Sequence, residues 1–131
     1  MEQLEKQIIQ WANDRNIIHG STTHKQLDKA LEEFNELQRA LGKQDLLIHA
    51  DYALAEDFIE IKQEMQDAFG DILVCLINAM AMEELSMKEC LEHAYNEIKD
   101  RKGTMINGKF VKEEDTLLNR IDEINEILNK K

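Results

Sequence analysis

Proline is absent from this 131-residue chain, and glycine occurs only five times. Loop-rich and β-sandwich folds place proline in their turns, so the absence weighs against both. Cysteine is scarce too. Cys75 and Cys90 lie in apolar helical contexts without metal-ligand spacing, so both are expected as reduced core thiols. Positive charge is outnumbered: 27 acidic residues face 16 Lys and Arg, a formal net charge of −11. Such a surface repels nucleic acid and anionic membranes, and a small polyanion would need a bridging cation to approach it. The longest apolar run, Ile72 to Ile77, is far shorter than the ~20 residues that cross a bilayer. The start, MEQLEKQIIQW, has neither the basic head nor the apolar core of a signal peptide. These absences predict a soluble, cytoplasmic protein with no nucleic-acid or membrane partner.

What is abundant is Leu, Glu, Lys and Ala, the composition of an all-α chain. The length suits one domain, residues 1–131, with a core over about 22–103. Leu4, Ile8, Trp11 and Ala12 predict a first helix over 2–14. "NIIHGSTTH" breaks it, and Ser21, Thr22 and Thr23 are candidate N-caps for a second helix over about 24–41. Ala30, Leu27, Leu31, Phe34 and Leu37 form that helix's apolar stripe, and Gly42 fits a left-handed C′ position after it. The stretch from Lys43 to Phe58 is ambiguous between helix and loop.

A third helix runs from Ala55 or Asp57 to Glu83. Its middle, Ala68 to Met82, is apolar nearly all round, so it is expected to be buried on several sides. In a chain this small the simplest arrangement is a helical bundle of four to five helices that also recruits a second subunit, as a homodimer or homotetramer. Ser86 and Glu89 form a capping box for a fourth helix ending near Lys102. Asn107-Gly108 then predicts a small two-stranded hairpin over about 104–111. A last helix over 113–129 carries Leu117, Ile121, Ile124 and Leu128 at coiled-coil spacing, which closes a C-terminal segment over 104–131.

The informative pattern is acidic. Residues three, four or seven apart share a helix face. Glu33 and Glu36 therefore point one way from the second helix, and Glu64, Asp67 and Asp71 point one way from the third. Their apolar neighbours place them at the edge of a core. Like charges there repel, and partial burial adds to the cost. No Lys, Arg or His occurs between Glu64 and Leu85, and no basic neutraliser is expected beside Glu33 and Glu36. The natural neutraliser is a divalent cation. Oxygen-only ligands suit Mg²⁺ or Mn²⁺ over Zn²⁺, and Mg²⁺ commonly also binds phosphates. Glu33, Glu36, Glu64, Asp67 and Asp71 are thus the candidate metal ligands.

Glu33-x-x-Glu36, 27 intervening residues, then Glu64-x-x-Asp67 resembles the signature of the MazG-like all-α nucleoside triphosphate pyrophosphohydrolases. "DAFGDILVCL", "AYNEIKDRKG" and "NGKFVKE" further resemble the small MazG-like proteins of phages and prophages. The likeness extends over roughly residues 22–113. One departure leaves two registers open, because Ala68 stands where the family places a Glu before the Asp of an apolar run. One register uses Glu64 with Asp67, the other Asp67 with Asp71. The resemblance implies Mg²⁺-dependent attack of water at the α-phosphorus of a nucleoside triphosphate, giving monophosphate and pyrophosphate. It makes Glu33, Glu36 and Asp67 the catalytic candidates. It also points to Asn96, Lys99, Arg101 and Lys102 as phosphate-side residues.

Gln26 and Lys29 are candidates for reaching the nucleotide. Trp11 is expected in the core, although stacking on a base is the alternative. Asn78, polar within an apolar run, is expected at a core or subunit contact, with a base contact as the alternative. The four histidines have no metal or nucleophile spacing. The rival classes are a non-enzymatic helical interaction module and a metal–nucleotide sensor without turnover.

Overall fold

The computed structural model describes residues 1–129, and for 114–119 the backbone alone. It is mostly helical: α1 (Glu2–Asp14), α2 (Ile17–Gly20), α3 (Thr23–Ile48), α4 (Ala55–Met82), α5 (Met87–Ile98), strands β1 (Gly103–Ile106) and β2 (Lys109–Lys112), then α6 (Glu113–Asn129). The chain divides into two compact units, Met1–Cys90 and the residues from Leu91 onward.

The first unit is organised by α3 and α4. Thr22 caps α3, its side-chain oxygen accepting the Lys25 N–H at 3.1 Å, as the run Ser21-Thr22-Thr23 predicts. Asp57 stabilises the start of α4 by accepting the Leu54 N–H at 2.9 Å. Two contacts set the pairing. Lys43 meets Glu64 near the connecting loop, and the Thr23 hydroxyl donates to Glu83 at the far ends. The two helices are therefore antiparallel and nearly in step along their length. Their seam is built from small residues, Ala30 and Ala40 on α3 and Ala68 and Ala79 on α4, all buried. Small side chains let the two backbones approach closely. Leu37 and Ile72 fill the centre, and half-buried Leu41, Met65 and Leu76 pack around them.

One expectation needs correction. Gly42 does not end the helix. It lies inside α3, which continues six residues further, and it has no positive φ. Leu41, Gln44 and Leu47 are half-buried at helical spacing, so continued packing outweighs the ~1 kcal/mol that a mid-helix glycine costs. The apolar stripe on α3 is also split: Ala30 and Leu37 are buried, but Leu27, Leu31 and Phe34 are exposed. On α4, Phe69 and Leu73 are exposed in the single chain as well. On each helix these residues lie across from the predicted acidic positions. The hairpin of α3 and α4 therefore has an acidic face and an apolar face.

By length and composition alone α4 is apolar enough to cross a membrane, with a mean hydropathy of 1.3 over 18 residues. Here its apolar side packs on α3. Helices α1 and α2 pack on α4, and Ala12 of α1 is fully buried. Glu5, also buried, accepts the Met87 N–H at 2.8 Å and so caps α5 from α1. Ser86 accepts the Glu89 N–H at 3.1 Å, which is the first half of the expected capping box. Cys75 is buried and Cys90 half-buried, both as free thiols.

In the second unit β1 and β2 pair antiparallel, Gly103 opposite Lys112. Asn107 and Gly108 both have positive φ, 51° and 77°, the type I′ turn that Asn-Gly predicts. A Cβ at Gly103 would strike the Val111 carbonyl and the Phe110 ring. Helix α5 ends at Ile98, four residues before the expected end. The backbone bond from the Glu113 N–H to the Lys102 carbonyl extends the ladder, so 99–102 unwind to reach it. Helix α6 forms as predicted, with Ile121, Ile124 and Leu128 exposed. The Leu117 side chain of the expected seam lies outside the described residues.

Nothing lies within 4 Å of a Cβ added at Gly42. Gly42→Ala is expected to raise stability by roughly 0.5–1 kcal/mol. Urea unfolding checks this, and a loss of stability would show that α3 does not run through residue 42.

Candidate functional site

The αα-hairpin brings the predicted carboxylates onto one face. Glu36 from α3 and Glu64, Asp67 and Asp71 from α4 line a cleft of about 240 Å³, with Arg39, Ala40, Lys43 and Ala68. Because the helices are antiparallel and in step, Glu36 stands nearly level with Asp71, and Glu64 stands level with Lys43. Glu33, half-buried, lies one turn beyond Glu36. Partial desolvation, then the charges of Glu36 and Asp71, push its carboxyl above the usual carboxylate range. That shift identifies Asp71 as the α4 carboxylate that Glu33 senses most.

The expectation of an unneutralised acidic face is only half right. Arg39 and Lys43 enter the same cleft from α3. Lys43 Nζ donates to both Glu64 oxygens, at 3.1 and 3.3 Å. Sequence spacing did not show this pair, because its partners are 21 residues apart and meet only through the hairpin. Glu64 thus has a cation of its own, whereas Glu33, Glu36 and Asp71 oppose one another. Among the described residues no three His, Cys, Asp or Glu side chains converge closely enough to hold a metal ion. The donor set nevertheless fits a hard divalent cation in kind: carboxylates only, from two facing helices, with like charges around Glu33 that Lys29 offsets only in part.

Gln26 and Lys29 lie on the same side of α3, Lys29 one turn before Glu33. They line a second cleft of about 380 Å³ with Trp11, Asn16, Ile17, Gly20, Ser21, Val74, Cys75 and Asn78. Trp11 is not a core residue. It is 45% exposed, and the Arg15 guanidinium lies over its ring at 4.5 Å from the centroid. Burial keeps the Cys75 thiol above its ordinary range, against the charge of Lys29 and with those of Glu33, Asp71 and Glu32. It is therefore a neutral wall and not a nucleophile.

Asn96, Lys99, Arg101 and Lys102 belong to the second unit. Arg101 and Lys102 line a cleft there with Glu97, Asp100, Lys112 and Glu113.

The raised Glu33 carboxyl has a consequence for stability. A carboxyl that is harder to ionise in the folded state binds its proton more tightly there. Stability is then lost as pH rises from the unfolded carboxylate range through the raised folded value. Without added metal, Glu33→Gln is expected to raise the melting temperature at pH 7 by a few degrees and to flatten that loss. An unchanged or lower melting temperature would mean that Glu33 does not feel its neighbours.

No family model and no solved structure matches the chain. It is similar to a curated protein described as "Uncharacterized 18.2 kDa protein in rep-hol intergenic region" of Haemophilus phage HP1 (strain HP1c1). The two are 49% identical over 43 residues, which is 33% of this chain and 26% of that protein. The chain thus matches about a quarter of the length of its phage relative.

Proposed function

We propose that this chain is a Mg²⁺-dependent nucleoside triphosphate pyrophosphohydrolase of the MazG-like kind, working in the cytoplasm on (d)NTPs. The observation that carries the reading is the facing of Glu33 and Glu36 on α3 by Asp67 and Asp71 on α4. The phage relative is compatible with the resemblance to phage-type MazG-like proteins and assigns no activity. Glu33, Glu36, Asp67 and Asp71 are the residues that would hold Mg²⁺, or Mn²⁺ in its place. Such an ion supplies charge neutralisation for the triphosphate and a lowered pKa for water.

The chain's own groups do the rest. Water adds to the α-phosphorus, the bond to the α–β bridging oxygen breaks, and pyrophosphate leaves; the water proton passes to a carboxylate of the face. Arg39 is placed to meet phosphate oxygens at the cleft. Lys29 approaches from the other end. Of the two registers, the pairing of Lys43 with Glu64 favours Asp67 with Asp71, and makes Glu64 a positioning residue.

The apolar face opposite the acid is the second half of the reading. Leu31 is 60% exposed and Phe69 52% exposed, and among the described residues no large side chain is fully buried. A second copy that buries Leu27, Leu31, Phe34, Phe69 and Leu73 completes a four-helix core as a homodimer or a homotetramer.

With Mg²⁺ and a panel of canonical and modified (d)NTPs, pyrophosphate and monophosphate should appear in equal amounts. Glu36→Gln and Asp71→Asn should each lower the rate at least 100-fold with the fold retained, and Glu64→Gln less than 10-fold. Full activity in Asp71→Asn, or the larger loss in Glu64→Gln, overturns this register. Triphosphate binding without pyrophosphate release would indicate the sensor instead. Sedimentation should show an oligomer that Leu31→Glu and Leu73→Glu convert to monomer. A monomeric wild type would refute the assembly.

A further inference from the structure

The apolar side of α6 has no task in the acidic site. Ile121, Ile124, Ile127 and Leu128 are each more than half exposed, although α6 meets β1 and β2. Ile121, Ile124 and Leu128 step by three and four, so they share one face of the helix, with Ile127 at its edge. Leu117 precedes Ile121 at the same coiled-coil spacing in the sequence. Charge is sorted about that face. Asp122, Glu123 and Glu126 fall on the opposite side of the helix, and Arg120 and Asn125 flank the apolar row. The chain has a net charge of −11. A row kept clear of carboxylates is one that a second, equally acidic chain can approach.

The pattern names the partner, because it is its own complement. Its chemistry is symmetric about a point midway between Asp122 and Glu123. Ile121 and Ile124 stand equally far from that point, and so do Leu117 and Leu128. Asp115 is as far from it as Lys130, and Glu114 as far as Lys131. Two such helices laid antiparallel across a two-fold axis set Ile121 against Ile124 and Leu117 against Leu128. The same axis sets the acidic start of each helix beside the lysines of the other, whereas a parallel pair sets the two acidic starts together. We infer that α6 docks, antiparallel, on α6 of a second copy of this chain. The contact is separate from the face of Leu31 and Phe69, and it does not rest on the hydrolase reading. Four aliphatic side chains per helix make a contact well below the ~1,200 Å² of a standard stable interface, so the pair is transient. Chemical trapping reads such a pair where sedimentation does not.

The test is disulfide trapping in the full chain. A disulfide joins two residues only when their Cα atoms come within about 7 Å, so it reports which positions face each other. Cys75 is buried and Cys90 half-buried, so Cys90→Ser is the common background and the oxidised background chain is the control. Leu117→Cys and Leu128→Cys, mixed in equal amounts and oxidised, should give a covalent dimer. Either variant alone should give less than a tenth as much, because the antiparallel pair holds like positions about 16 Å apart along the helix axis. Adding Ile121→Glu with Ile124→Glu to both variants should cut the yield of the mixture at least 10-fold, with helicity unchanged by circular dichroism.

The inference is overturned if the mixture gives no dimer above the control. It is also overturned if either variant alone gives as much as the mixture, the mark of a parallel pair. A yield that survives Ile121→Glu with Ile124→Glu overturns it too, since random collision needs no apolar row. An oligomer in sedimentation that gives no trapped dimer would refute the α6 pair and leave the α3–α4 assembly. A trapped dimer from a chain that sediments as a monomer would do the reverse.

Discussion

Helices α3 and α4 pair antiparallel and in step, with buried alanines between them. Alanines at 30, 40, 68 and 79 make the seam narrow, and a narrow seam buries only one stripe of each helix. Everything else on the two helices must face outward on one side or the other. Because the helices are in step, their acidic positions fall on one side and their large apolar residues on the other. The acidic cleft and the uncovered apolar face thus follow from one packing decision. Helices α1 and α2 then pack on α4 and cover one end of the acidic side, which leaves the cleft around Trp11 and Asn78 between them.

The elements were legible wherever local chemistry decides the backbone. Helix α1 spans the residues its periodicity predicts, Thr22 caps α3, and Asn107-Gly108 turns the hairpin. Gly42 is a local stop signal that is overridden by packing against a helix that follows later in the chain. Leu27, Leu31 and Phe34 show a related limit. Periodicity shows that a helix has an apolar side, but not that the intramolecular seam is only wide enough for part of it. Trp11 illustrates the same limit, since α1 buries Ala12 and leaves the neighbouring indole at the edge of a cleft.

The site was legible as a pattern and less so as a geometry. Helical spacing was enough to group Glu33 with Glu36, and Asp67 with Asp71. It also puts Arg39 on the face of Glu36, three residues on, but it was not enough to pair Glu64 with Lys43 across the hairpin. That is the contact that separates the two registers. The raised carboxyl of Glu33, a polar feature that breaks the rules of a folded core, lies on the acidic side of the hairpin. Proteins keep such local inconsistencies where a ligand resolves them.

If carboxylates from both helices form one cation-binding face, a single metal ion should touch α3 and α4 together. Mn²⁺ titrated into isotopically labelled protein tests it directly, through paramagnetic broadening of backbone amides. Broadening should be selective for residues around Glu33 and Glu36 on α3 together with Asp67 and Asp71 on α4, and should saturate at one concentration of metal. Broadening spread evenly over the acidic surface, or confined to one of the two helices, would contradict it.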